Sequence, residues 1–240
     1  MQKKLQDKGL IVSSVEDKGS HSAVRIRDIG LLRVYHTKKG EKLDYSQIPA
    51  HFRTRVMDAL EPIVEEKAVI GVDEAGKGDY FGPIVASAAL VRGKEEAQKL
   101  RSLGVTDSKR LGDEKIIKLS KAIKKECLVT VVKVGAERYN RLYEEMGNLN
   151  KLLAWMHARA IENILAEEKA DYAISDRFAD ETLVKRSLLE KGKDIELRQE
   201  TKAERHLPVA AASIVARAEF VLALQKLSFG YGMELPLGAG

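Results

Sequence analysis

The chain of 240 residues is 44% hydrophobic and 32% charged, enough apolar material for a packed core in one large domain or two. It contains no run of ~18 apolar residues and no basic-then-apolar leader, which points to a cytoplasmic protein with no membrane partner. A single cysteine, Cys127, excludes an internal disulfide, and the five histidines show no zinc-ligand spacing. The net charge is +5, and residues 1–60 hold 12 basic against 7 acidic side chains, so the whole surplus lies in the first quarter. A basic module ahead of a neutral one suits a polyanion held beside acids that bind metal. Ordinary solubility charge accounts for the same surplus.

In chain order, residues 1–9 are polar with weak helical spacing, closed by Gly9. Segments 10–15, 21–29 and 31–36 read as strands, broken by turn chemistry at Asp17-Lys18-Gly19 and Lys38-Lys39-Gly40. Alternation in Val24-Arg25-Ile26-Arg27 puts both arginines on one strand face. Phe52, Val56, Leu60 and Val64 recur at fours and predict a helix over 49–66. These elements form a small basic N-terminal domain, 1–66, whose Arg25 and Arg27 suit phosphates and whose Tyr35 and Tyr45 suit stacking. A simply solvated outer face explains the arginines as well.

The apolar, β-branched run 68–72 reads as a strand buried on both faces, and it ends on Asp73 and Glu74. Neighbouring strand residues face opposite ways, so both acids serve one site only if the strand ends or bends there. Ala75-Gly76-Lys77-Gly78 supplies such a break, because its glycines permit positive φ and close backbone approach. Carboxylates beside a loop of bare amides suit a divalent cation and a phosphodiester together. Solvated acids at a strand-to-turn junction are the competing reading.

Further along, 84–91 and 128–134 read as strands, 94–101 and 112–125 as helices, with Asp107 or Asp113 as a cap. Cys127 opens an apolar run and reads as buried and inert. A long helix over 148–168 carries Leu149, Leu152, Leu153, Met156, Ile161, Ile164 and Leu165 on its buried stripe, and Trp155 reads as core. Strand 171–175 delivers Asp176 at its C-terminal end, where open α/β sheets place ligands. Capping the next helix, 181–191, is an equal role for Asp176, and Asp180 competes for either. A strand over 194–198 leads to Lys202 and Glu204, then to a helix of small residues over 210–227 that can approach the sheet closely.

The run Asp73-Glu74-Ala75-Gly76-Lys77-Gly78-Asp79-Tyr80-Phe81-Gly82-Pro83 resembles the signature of the type 2 ribonucleases H, and its Asp79 to Pro83 ending resembles the ribonuclease HIII branch. Three further stretches match in order: Thr106-Asp107-Ser108-Lys109; Ile174-Ser175-Asp176-Arg177-Phe178-Ala179; and Thr201-Lys202-Ala203-Glu204 running into 209–217. The resemblance implies an α/β ribonuclease H-like catalytic domain over 67–240, a mixed central sheet flanked by helices, behind a small α+β domain like the TATA-binding protein. It implies a metal-dependent endonuclease that hydrolyses the RNA strand of RNA/DNA hybrids to 5′-phosphate products, with no obligate protein partner. It also implies two ions, Mg²⁺ or Mn²⁺, held by Asp73, Glu74, Asp176 and Glu204, with Asp73 bridging. Backbone groups of Gly76, Lys77 and Gly78 would read the 2′-hydroxyl, while Ser108 and Lys109 would lie near the nucleic-acid backbone. Two departures stand out: Lys77 replaces the threonine common in HIII loops, and the chain stops at Gly240 where family members continue, which implies a truncated catalytic domain. Cleavage at single ribonucleotides in duplex DNA, as by ribonuclease HII, a DNA-directed nuclease and a non-catalytic hybrid-binding fragment are the alternatives.

Overall fold

Four short segments of alternating apolar and polar residues build the first of two sheets in the computed structural model, which describes residues 1–37, 40–60, 67–105, 111–176, 181–188 and 192–238. The chain divides into two units, Met1–Ile63 and Val64–Gly240. In the first, β1 (Val12–Asp17), β2 (Ser22–Ile26), β3 (Gly30–Thr37) and β4 (Gly40–Gln47) pair antiparallel in sequence order. Leu5 of α1 (Gln2–Gln6) and Val56, Ala59 and Leu60 of α2 (Ala50–Leu60) close the core over Val24, Ile26, Leu32 and Val34. Arg25 and Arg27 are exposed, as the two-residue period of a half-buried strand requires.

Strand β4 is absent from the sequence reading, although Leu43 and Tyr45 alternate along it and pack on this core. These are the only two apolar residues in the strand, too few to mark the period. The helix expected over 49–66 is described as far as Leu60, and Val64 lies outside the described residues.

The second unit is built on a five-stranded sheet in the order β7-β6-β5-β8-β9. Its strands are β5 (Ala68–Ala75), β6 (Ile84–Arg92), β7 (Leu128–Val134), β8 (Tyr172–Asp176) and β9 (Glu196–Glu200). β6 runs antiparallel to β5 and β7, while β8 runs parallel to both β5 and β9. One face, through Ala89 and Val91, packs against α3 (Lys94–Ser102), α4 (Asp113–Glu126) and α8 (Leu207–Tyr231). The other face, through Ile70, Val72, Ala88 and Leu90, packs against α6 (Leu149–Glu167) and α7 (Glu181–Ser187). Helices on both sides explain why β6 is buried from Ile84 to Val91 and reads as an unbroken apolar run.

Helix α8 is long and apolar enough to cross a membrane by length and composition, with a mean hydropathy of 1.8 over its best window. Of that window, 78% is buried inside the fold, so α8 is a core helix. Asn148 caps α6 by accepting the Asn150 N–H at 2.7 Å, and Gly147 ends α5 (Ala136–Met146) in the left-handed conformation.

Several expectations need correction. β5 carries both acids in its ladder with β6, through Asp73–Ser87, Glu74–Ala86 and Ala75–Val85, and ends at Ala75, where the break over 75–78 was expected. Helix α5 was not anticipated, although Tyr139, Leu142 and Met146 recur at helical spacing and pack, partly buried, against the core. β9 begins two residues later than the strand expected over 194–198. Asp113 does not cap α4, whose N-cap is Gly112; it lies in the first turn and pairs with Arg217 at 3.3 Å. Trp155 is only partly buried, with the Arg138 guanidinium 5.9 Å from its ring centre.

Candidate active site

Parallel pairing of β5 with β8 brings their C-terminal ends together. The last aligned pair is Val72–Ser175, so Asp73 and Asp176, each one residue further on, lie side by side with their side chains toward α8. Glu204 sits in a short 3₁₀ turn, Ala203–Arg205, entered through Lys202 at φ +61° and leading into α8. That turn is tied to β8 by the Ala203 N–H, which donates to Asp176 Oδ1 at 3.4 Å. Glu74 points to the opposite sheet face, where Nε2 of the buried His157 on α6 meets its Oε2 at 2.9 Å. All four acids nevertheless line one cavity of about 500 Å³, because β5 ends one residue beyond Glu74. Lys77, Asp79, Ser213 and Arg217 also line it, with Phe220 and Leu237 as apolar walls.

Burial pushes the Asp73 carboxyl up to about 6, and the neighbouring Glu74 charge adds to the rise. The Ser213 hydroxyl, the Glu74 N–H at 2.9 Å and the nearby His157 act in the opposite direction. The cavity therefore holds negative charge at a free-energy cost that a cation would offset. Its donors are carboxylate oxygens, the set that suits hard divalent ions such as Mg²⁺ and Mn²⁺. Among the described residues, no three His, Cys, Asp or Glu side chains already converge as a finished cage. The acids instead turn toward separate donors: Asp73 to Glu74 N–H, Glu74 to His157 and Asp176 to Ala203 N–H. The donor chemistry fits a divalent ion, with side-chain rotation needed to close the shell.

The loop after β5 borders this cavity. Gly76 stands at φ +89°, and a Cβ there would lie 2.3 Å from the Pro83 carbonyl oxygen, so only glycine fits. Gly78, at φ +87°, has nothing within 4 Å of its Cβ position and leaves its backbone open to approach. Asp79 Oδ1 accepts the Gly238 N–H at 2.6 Å, and the Tyr80 N–H donates to the Gly238 carbonyl at 3.1 Å. The structure thus brings Asp73, Glu74, Asp176, Glu204, Gly76 and Lys77 to one cavity, with Gly78 in the same loop. Asp107, Ser108, Lys109 and Asp180 lie outside the described residues.

Sequence reasoning missed His157, Ser213 and Arg217. The last two carried a signal: they stand four apart within the otherwise apolar first half of α8, Leu207 to Ala218, which puts two polar groups on one stripe. His157 carried none beyond its place on the buried side of α6, because its partner is 83 positions away.

A mixed sheet in this order, with acids at the ends of its central parallel strands, is the ribonuclease H-like nuclease fold. The ribonuclease HII family model matches residues 70–240. Ribonuclease HIII of Chlamydia pneumoniae is 46% identical over 174 residues, covering 71% of this chain and 58% of that protein. Ribonuclease HIII of Chlamydia abortus is 34% identical over 248 residues, covering 96% of this chain and 82% of that protein. The crystal structure of Bst-RNase HIII in complex with Mn²⁺ superposes with a TM-score of 0.69 at 28% identity, covering 99% of this chain and 82% of the other. The chain belongs to the type 2 ribonuclease H family, on its ribonuclease HIII branch, and its first unit fits that branch's N-terminal domain. It spans less than two thirds of the length of the Chlamydia pneumoniae relative.

Proposed function

We propose that this chain is a cytoplasmic, metal-dependent endonuclease that hydrolyses the RNA strand of RNA/DNA hybrids and leaves 5′-phosphate ends. The observation that carries the reading is the meeting of four carboxylates, drawn from two strands and a 3₁₀ turn, on one cavity bordered by a glycine loop. Two divalent ions, Mg²⁺ or Mn²⁺, would supply Lewis-acid activation of water and charge neutralisation at the phosphate and the departing 3′ oxygen. The Mn²⁺ complex of Bst-RNase HIII supports that ion class.

Asp73, whose carboxyl is raised by burial and by the neighbouring Glu74, would hold the ions together with Glu74, Asp176 and Glu204. Lys77 and Arg217 bring positive charge to the cavity mouth, where a phosphodiester would lie. Selection of RNA needs a group that reads the 2′-hydroxyl, and the open backbone at Gly78, with Gly76 and Lys77, suits it. The exposed Arg25 and Arg27 face of the first unit suits sequence-independent contact with phosphates, which supports nucleic acid as the partner.

The test is cleavage of end-labelled duplexes in Mg²⁺ or Mn²⁺. A fully RNA-containing hybrid should be cut at several positions and an all-DNA duplex left intact. Cutting confined to a duplex with one embedded ribonucleotide would favour the ribonuclease HII type of activity. Binding without cutting in either ion would make the chain a hybrid-binding fragment.

A further inference from the structure

The alternation of a strand leaves a problem that the four acids alone do not solve. Asp73 and Asp176 face α8, but Glu74 sits on the α6 side of β5, opposite Ala86 of β6, which packs against α6. A flexible glutamate there can serve the cavity only if something fixes its carboxylate at the strand end. His157 is placed to do so. It stands on the inner face of α6 beside Leu153, Met156 and Ala158, is 1% exposed, and puts Nε2 2.9 Å from Glu74 Oε2. A carboxylate only accepts hydrogen bonds, so this contact is a donation from the His157 Nε2–H. The donation to Glu74 offsets the cost of burying the polar Nε2 in an aliphatic layer, so the pair is mutually fixing. α6 itself is anchored from below, where the Thr130 hydroxyl of β7 donates to the Ala160 carbonyl at 2.8 Å.

We infer that His157 is a positioning residue for metal binding: it holds one carboxylate oxygen of Glu74, and so orients that acid toward the cavity it shares with Asp73. The inference rests on the assignment of Glu74 as a ligand under the proposed function. A hydrogen-bond partner behind a ligand fixes its orientation, and removing such a partner costs about 10–100-fold in metal affinity or activity.

Glutamine and asparagine separate this role from simple packing. The glutamine amide nitrogen reaches the place of the imidazole Nε2, whereas that of asparagine reaches only the place of Nδ1. Both variants are polar and of similar size. Binding of Mn²⁺ alone is followed by electron paramagnetic resonance and calorimetry, with melting temperatures recorded in parallel. His157→Gln should keep Mn²⁺ affinity within about threefold, while His157→Asn and His157→Leu should weaken it about tenfold or more. In a Glu74→Gln background, His157→Asn should produce little further loss, because its effect passes through Glu74. On a hybrid at saturating Mn²⁺, the Asn variant should lose kcat with KM for the duplex unchanged.

Mn²⁺ affinity in His157→Asn equal to that of the unaltered protein would overturn the inference. Equal losses in the Gln and Asn variants would overturn it too. The titration needs no nucleic acid, so a protein that leaves the hybrid uncut but shows the Gln and Asn difference refutes the proposed function alone.

Discussion

Gly71 of β5 lies against the backbone of Pro208 in the first turn of α8: a Cβ built on Gly71 would stand 2.0 Å from the Pro208 carbonyl carbon and 2.1 Å from the Val209 nitrogen. The contact sets the depth at which α8 docks on the sheet. It therefore also sets the position of the turn that carries Glu204 relative to Asp73, two residues along the same strand. Gly71→Ala has no relief available, because backbone cannot swing aside as a side chain can. Overpacking of this kind costs about 1–3 kcal/mol, and a backbone clash belongs at or above the upper end. The variant should show a lower urea midpoint and loss of hybrid cleavage together. Stability and activity both unchanged would mean that α8 is not held at this depth.

The chain read in sequence already showed why such contacts should exist. The small residues Ala210, Ala211, Ala212 and Ser213 announce a helix that comes close to its neighbour, and the unbroken apolar runs at β5 and β6 announce strands covered on both faces. The end of β5 was less legible. Two acids look like the end of a buried strand, yet the β6 ladder carries them both, because Asp73 and Glu74 are accommodated by Ser213 on one side and His157 on the other. Those partners sit far along the chain, and no local pattern names them. Surface elements failed for a different reason: β4 offers only Leu43 and Tyr45 as apolar marks, while the stripe of α5 at Tyr139, Leu142 and Met146 was legible and overlooked. The four acids were named by motif resemblance, and the structure places them at one cavity; their opposite orientations on β5 follow from the register.

Stability should depend on pH and divalent ion together. The Asp73 carboxyl is raised from 3.8 to about 6 in the folded protein, first by burial and then by Glu74. The folded state thus holds this proton more tightly than the unfolded chain, and the resulting stabilisation is complete below about pH 4 and lost as pH rises through about 6. The swing is on the order of 3 kcal/mol. A cation bound to the ionised site should restore it, so millimolar Mg²⁺ should raise the melting temperature clearly at pH 7.5 and little at pH 5. Equal stabilisation at both values would show that the ion binds elsewhere.

Cys127 should be chemically silent in the native state. Burial, with the negative charge of Glu96 adding to it, pushes the thiol up to about 12, and the Cys127 Sγ lies 3.4 Å from the Ile123 carbonyl at the end of α4. Labelling by a maleimide or a disulfide reagent at pH 8 should be slow in buffer and fast in denaturing urea. Fast labelling of the folded protein would contradict the described packing of α4 on β7.

The loop glycines should separate by the space around them. Gly76→Ala forces a Cβ to 2.3 Å from the Pro83 carbonyl, whereas Gly78→Ala meets nothing within 4 Å and adds only the strain of a positive φ. Gly78→Ala should fold with a penalty of about 1 kcal/mol yet discriminate less between an RNA-containing and an all-DNA duplex. Gly76→Ala should lose stability first. Melting curves and cleavage of both duplexes distinguish the two.

The most direct measurement of the shared-cavity claim is turnover of a labelled RNA/DNA hybrid in Mg²⁺ by the unaltered chain and by Asp73→Asn, with hybrid binding followed on the same samples. Asparagine keeps the shape of the side chain and removes its charge. Cleavage should fall at least about a hundredfold while affinity for the hybrid is kept. Cleavage at the unaltered rate by Asp73→Asn would contradict the account.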